Sequence, residues 1–173
     1  MFRIFEPLIG LRLSIVRRAA DMLVLHFGEI QQHPSGEGTV GDYALHVQCP
    51  WRLQGPLGTI TGSGDLWVYV GPGERPKNWS YEDGFSLQDQ KLGTYFERDE
   101  TTRSWVNHSE RFVVMSSEES GHGDVRFELK NGMALLLFPA GSSAESWRFF
   151  VPVGSGRHVI FSALHVIAST PLR

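Results

Sequence analysis

Apolar and polar positions alternate with period two along much of this chain, a spacing that predicts strands. In residues 11–16, Leu11, Leu13 and Ile15 fall on one side and Arg12 and Ser14 on the other. Residues 22–27, MLVLHF, form instead a continuous apolar run, which predicts a strand covered on both faces. A helix across residues 14–27 is the competing reading; the β-branched centre favours two strands. Residues 31–41, with Pro34 and three glycines, predict a loop. Alternation returns in residues 43–49 and stops at Pro50, which cannot donate to a ladder.

Residues 59–61 and 65–70 predict either two hairpin arms or one strand bulged around Gly62, Ser63 and Gly64. The stretch GPGERP at 71–76 is a break. Residues 77–107 carry the weakest pattern, with Leu87, Lys91 and Tyr95 at helical spacing across 86–98. Order resumes at 111–116. In residues 124–139, DVRFELKNGMALLLFP, Asn131-Gly132 separates two β-rich runs and predicts a type I′ turn with φ > 0 at both positions. The apolar run 133–138 reads as a central strand. Residues 146–151 and 157–161 add two more, and 163–168 a further strand or short helix.

The pattern predicts a mainly β fold (or α+β with little helix), an antiparallel sandwich or partly open barrel of about nine to eleven short strands. At most one or two short helices are expected. No βα alternation points to a doubly wound sheet. At 173 residues the chain is expected to form a single domain, 1–173, with an irregular insertion at 71–107.

Composition narrows function by exclusion. Hydrophobic residues make up 41% and aromatics 12%, which suits a packed globule rather than a disordered chain. The net charge of −3, with scattered basic residues, argues against nucleic acid. Arg17-Arg18 is too short to count as a patch. The sole cysteine, Cys49, excludes an internal disulfide and a Cys-rich zinc module. Arg3, Glu6 and Arg12 interrupt the apolar start, so no signal peptide is expected. No stretch approaches the roughly 20 apolar residues of a membrane span. The expected location is therefore the cytoplasm.

Chemistry-bearing residues concentrate in YALHVQCPWRL (43–53) and TITGSGDLW (59–67). Alternation puts His46 and Cys49 on opposite faces of their strand. His26 lies on a strand that can pair with that of His46; directly opposed, their Cβ atoms would stand roughly 5 Å apart. A metal would still need a third ligand from Asp21, Asp42 or Asp65, and HxH, HExxH and CxxC are all absent. Neither a metal nor a cofactor is expected. Cys49, before proline at a strand end, suits packing better than nucleophilic chemistry. Trp51, Arg52, Asp65 and Trp67 remain as a potential ligand floor or strand clasp, with an Arg52–Asp65 ion pair between two indoles. TGSGD lacks the phosphate-loop signatures and reads as a tight turn.

The runs AADMLVLHFGE, YALHVQCPWRL and TGSGDLW, with a weaker echo in FELKNGMALLLFP and SWRFF, resemble a family of short uncharacterised bacterial proteins frequent in actinobacteria. The resemblance covers about residues 18–67 and transfers no catalytic residues. It implies a bacterial cytoplasmic protein made as an independent small domain. The expected function is a non-enzymatic binding module, acting near Trp51, Arg52 and Trp67 on a partner protein, in one version as an immunity protein blocking a toxin. One alternative is a small-molecule binder or enzyme with a polar pocket near His26 and His46. The other is a homodimerising β-module. No nucleic-acid or membrane partner is expected.

Overall fold

The first two predicted strands pair as a hairpin, β1 (Leu13–Ala19) and β2 (Met22–Phe27), turning through Ala20 and Asp21. The structure, a computed structural model, describes residues 3–154, 156, 158–162 and, for the backbone, 165–169. β1 is irregular. Its register slips so that Leu13 pairs with Phe27 but Ile15 with His26. A bulge of this kind re-aims every later side chain. Leu13 and Val16 enter the core, whereas Ile15 leaves the face it was expected to share with Leu13. Asn107 holds the bulge, its Nδ2 donating to the Leu13 carbonyl at 2.9 Å and its backbone N–H to that of Ser14 at 2.8 Å. Arg17 and Arg18 consequently project from opposite faces of the sheet.

The segment expected as a loop carries a two-residue hairpin, β3 (Gln31–Gln32) with β4 (Thr39–Val40). β5 (Tyr43–Val47) then pairs with β2. After Pro50 the chain crosses to a second sheet as β6 (Trp51–Gly55) and β7 (Gly58–Gly62). Residues 65–70 do not continue as a strand arm. Ser63–Trp67 is a 3-10 turn, and only Tyr69 bridges onward, to Ser86.

Residues 71–107 are more ordered than their weak pattern implied. They contain a helix, α1 (Leu87–Tyr95), and two short strands, β8 (Glu97–Asp99) and β9 (Ser104–Val106). Ser86 caps α1 by accepting from the Asp89 N–H at 3.1 Å. The helix buries Gln88 and Leu92 rather than the expected Leu87, Lys91 and Tyr95 stripe. Gln88 tolerates burial because both ends of its amide are bonded: Nε2 donates to Gly62 O, and Oε1 accepts from Arg18, each at 2.9 Å.

β10 (Val114–Glu119), β11 (Val125–Leu129) and β12 (Ala134–Leu137) complete the second sheet. β13 (Glu145–Phe150), β14 (His158–Ser162) and β15 (His165–Ser169) return to the first. The Asn131-Gly132 turn forms, but not as type I′. Only Gly132 has positive φ, and its N–H bonds Leu129 O, giving a three-residue loop that starts at Lys130.

The result is a mainly β, all-antiparallel sandwich. One sheet runs β15-β14-β13-β5-β2-β1-β9-β8 and the other β10-β11-β12-β6-β7, with β12 central as expected. The ladders are open at their ends, not closed into a barrel. Among the described residues there are fifteen strands, eleven of them four residues or longer. The shorter ones were not legible as alternation. The inner faces share one apolar cluster, with Leu25, Leu45, Val47, Trp147 and Phe149 from one sheet and Leu53, Phe127, Leu135 and Leu137 from the other. Phe5 fills the gap between them, its ring 5.1 Å from each of Phe127, Trp147 and Phe149. Among the described residues no helix is long and apolar enough to cross a membrane.

Candidate functional site

The sequence-nominated residues disperse. Trp51 is buried in the core, whereas Arg52, next to it on β6, points away and lies 4.8 Å from the Phe138 ring. Asp65 accepts from Thr61 Oγ1 at 2.9 Å instead of meeting Arg52. Trp67 is 57% exposed, edge-on to Tyr81 at 5.0 Å. Strand alternation separates Trp51 from Arg52, and the 3-10 turn carries Trp67 away from both.

His26 and His46 do share the outer face of the larger sheet, but diagonally. His26 pairs with Ala44, and His46 with Val24. Burial, reinforced by Arg17 and then His46, lowers the His26 pKa to about 3. Arg17 Nη2 lies 2.8 Å from His26 Nε2. A guanidinium only donates, so Nε2 must accept from a neutral ring. The Gly41 N–H also approaches Nδ1, at 3.2 Å. A neutral imidazole has one acceptor nitrogen, so the shorter Arg17 contact prevails. His46 sits edge-on to Phe150 at 4.9 Å. Its pKa is lowered by burial and Arg148 against an opposing contribution from Glu145. Among the described residues no group of three His, Cys, Asp or Glu side chains can hold a metal. Burial also raises the Cys49 pKa to about 11, which leaves it a thiol at neutral pH.

A different set of residues does converge. A cleft of about 320 Å³ is lined by Arg18, Ala20, Tyr81, Glu82, Arg98, Thr102, Arg103 and Trp105. The β1 bulge supplies Arg18: the register that turns Val16 toward Trp105 turns Arg18 to the same side. Arg98 faces Trp105 across the β8–β9 ladder. Both guanidiniums lie against this indole, Arg98 at 4.2 Å and Arg18 at 5.3 Å from the ring. Arg18 reaches Tyr81 as well, at 5.9 Å.

The three cations differ in how they are compensated. Arg18 is paired with Asp89 at 2.6 Å. Arg98 approaches the exposed Glu100 at 3.8 Å and interacts electrostatically with Asp99, and its buried Nη1 has no hydrogen-bond partner among the described residues. Arg103 donates to the Glu82 carbonyl at 3.0 Å and meets no carboxylate among the described residues. The backbone around the cleft is constrained too. Ala20, Phe85 and Arg103 are the described non-glycine residues with positive φ, and two of the three line it. Such conformations cost about 1–3 kcal/mol each and recur at ligand sites. The β8–β9 turn is further fixed by Asp99, whose Oδ1 accepts from the Thr101 and Thr102 N–H groups. Its bonds with Thr102 hold that carboxyl below the ordinary range.

No protein-family model, curated protein or solved structure matches this chain. Its chemistry rests on its own geometry. Sequence reasoning missed the cleft because Arg18 lies about 80 residues before Arg98 and Arg103 in the chain. The positional signal that existed, an arginine two residues before a glycine-free tight turn and another within one, carries no motif.

Proposed function

We propose that this protein is a binding module for an anionic small molecule, which it holds in the Arg18–Arg98–Arg103 cleft. The observation that carries this reading is the imbalance of charge: three arginines and a single acidic residue, Glu82, line the concavity, and of the three guanidiniums only Arg18 has a carboxylate within hydrogen-bond reach among the described residues, at 2.6 Å. Guanidinium groups are planar donors suited to carboxylate and phosphate oxygens, and partial burial strengthens the attraction. The volume lies at the lower end of the range for small-molecule sites. A binding role is favoured over catalysis because the two groups most suited to proton transfer or attack, His26 and Cys49, are driven by burial to pKa values of about 3 and about 11.

Isothermal titration of inorganic phosphate at fixed ionic strength tests the reading. The native protein is expected to bind with saturation, and more weakly as salt rises. Arg103→Gln alters an exposed side chain and is expected to weaken binding about tenfold while leaving thermal stability unchanged. Binding that is equal in the variant, or absent in the native protein, would remove the cleft as the site.

A further inference from the structure

Beside the cleft lies an unusual surface. Trp67, Phe85 and Val68 are 57%, 56% and 43% exposed, on segments that the Val68–Leu87 and Val70–Phe85 backbone bonds tie together. Tyr81 belongs to both regions: it lines the cleft, and its ring meets Trp67 at 5.0 Å. Tyr69 stands behind, 6.2 Å from Phe85 and 5.4 Å from Trp79. Phe85 is presented from a backbone with φ of 62°, a conformation that a bulky side chain rarely adopts. The arginine-lined cleft and this apolar surface therefore meet at Tyr81, with Trp67 next beyond it.

On the basis of the proposed anion site, we infer that its ligand is a phosphorylated aromatic small molecule, with the phosphate between Arg98 and Arg103 and the ring against Tyr81 and Trp67. A phosphate offers acceptor oxygens to the Arg98 and Arg103 guanidiniums, neither of which has a carboxylate within hydrogen-bond reach among the described residues. The cleft is larger than a bare oxyanion needs, and the side chains that lead out of it through Tyr81 include the exposed indole of Trp67. Aromatic faces reward a planar ring over a saturated one of similar size, because stacking adds to area burial. The ring can be borne on the phosphate directly or on a short spacer, as in a nucleotide.

Titration of the full chain with inorganic phosphate, cyclohexyl phosphate, phenyl phosphate and adenosine 5′-monophosphate, at matched ionic strength, tests this. At least one of the two aromatic phosphates should bind about tenfold more tightly than cyclohexyl phosphate, and which of them does so reports the spacer. Trp67→Ala should abolish that preference and leave inorganic phosphate affinity unchanged, with circular dichroism confirming the fold. Equal affinity for cyclohexyl and both aromatic phosphates, or a preference that survives Trp67→Ala, overturns the inference while the anion site stands. Failure of all four to bind overturns both.

Discussion

At residue 26 a ring that ordinarily titrates near neutrality is kept neutral by burial, and its accepting nitrogen is committed to Arg17. The consequence for stability has a definite sign. The folded-state pKa, about 3, lies below the unfolded value near 6.5, so between the two the unfolded chain binds one more proton. The contribution of His26 is complete above about pH 6.5 and is lost as pH falls toward 3, at about 1.4 kcal/mol per pH unit. His26→Gln, which retains an acceptor for Arg17, should flatten that dependence in urea melts at pH 6.5 and about 4.5. Equal slopes would show that protonation of another group controls the acid limb. A buried Phe contact at Gly123 sets a second residue-scale limit. A Cβ there would lie 2.1 Å from the Phe161 ring, on a backbone with φ of 87°. Gly123→Ala is expected to lower the melting temperature by several degrees in a thermal scan, about 2–4 °C for each kcal/mol lost.

Among the elements, α1 has a polar anchor, Gln88, beside its apolar one, Leu92. Gln88 is 1% exposed and joins Gly62 O to Arg18. Gln88→Leu preserves much of the bulk but strands a buried carbonyl and leaves Arg18 with only Asp89. A loss of about 1–3 kcal/mol is expected in denaturant titrations, with weaker phosphate binding because Arg18 is less well held. Unchanged stability would mean that α1 is held by Leu92 alone. The same residue shows what alternation can and cannot reveal. β5 was legible because side chains that enter a core on one face leave a period of two, and β2 and β12 because burial on both faces leaves a continuous apolar run. Gln88 was not, since nothing in a glutamine announces that both its amide ends will find partners. The β1 bulge was equally hidden: Ser14 is an ordinary strand residue, and the slip is held by Asn107, far along the chain. That slip sends Arg18 toward Trp105 and Arg17 toward His26. The candidate site was therefore illegible for a topological reason, because β9 reaches Arg18 only after joining the edge of β1.

At the scale of the molecule, Phe5 links the two sheets. Its ring touches Phe127 from one sheet and Trp147 and Phe149 from the other. The preceding backbone is tied down as well, with the N–H groups of Ile4 and Phe5 donating to the Glu119 carboxylate. Phe5→Ala should cost about 3–5 kcal/mol by equilibrium unfolding, since the cavity it leaves lies between two rigid layers. The timing of that loss follows from where its partners lie. Among the described residues, the rings that Phe5 meets all come from the last third of the chain, so a ribosome must deliver β13 before the plug can seat. A contact of such long sequence separation is slow to form and belongs late on the folding path. In stopped-flow kinetics the Phe5→Ala penalty should therefore appear mainly as faster unfolding, with the refolding rate little changed. Phe5 would lock only after strands that leave the ribosome long after it.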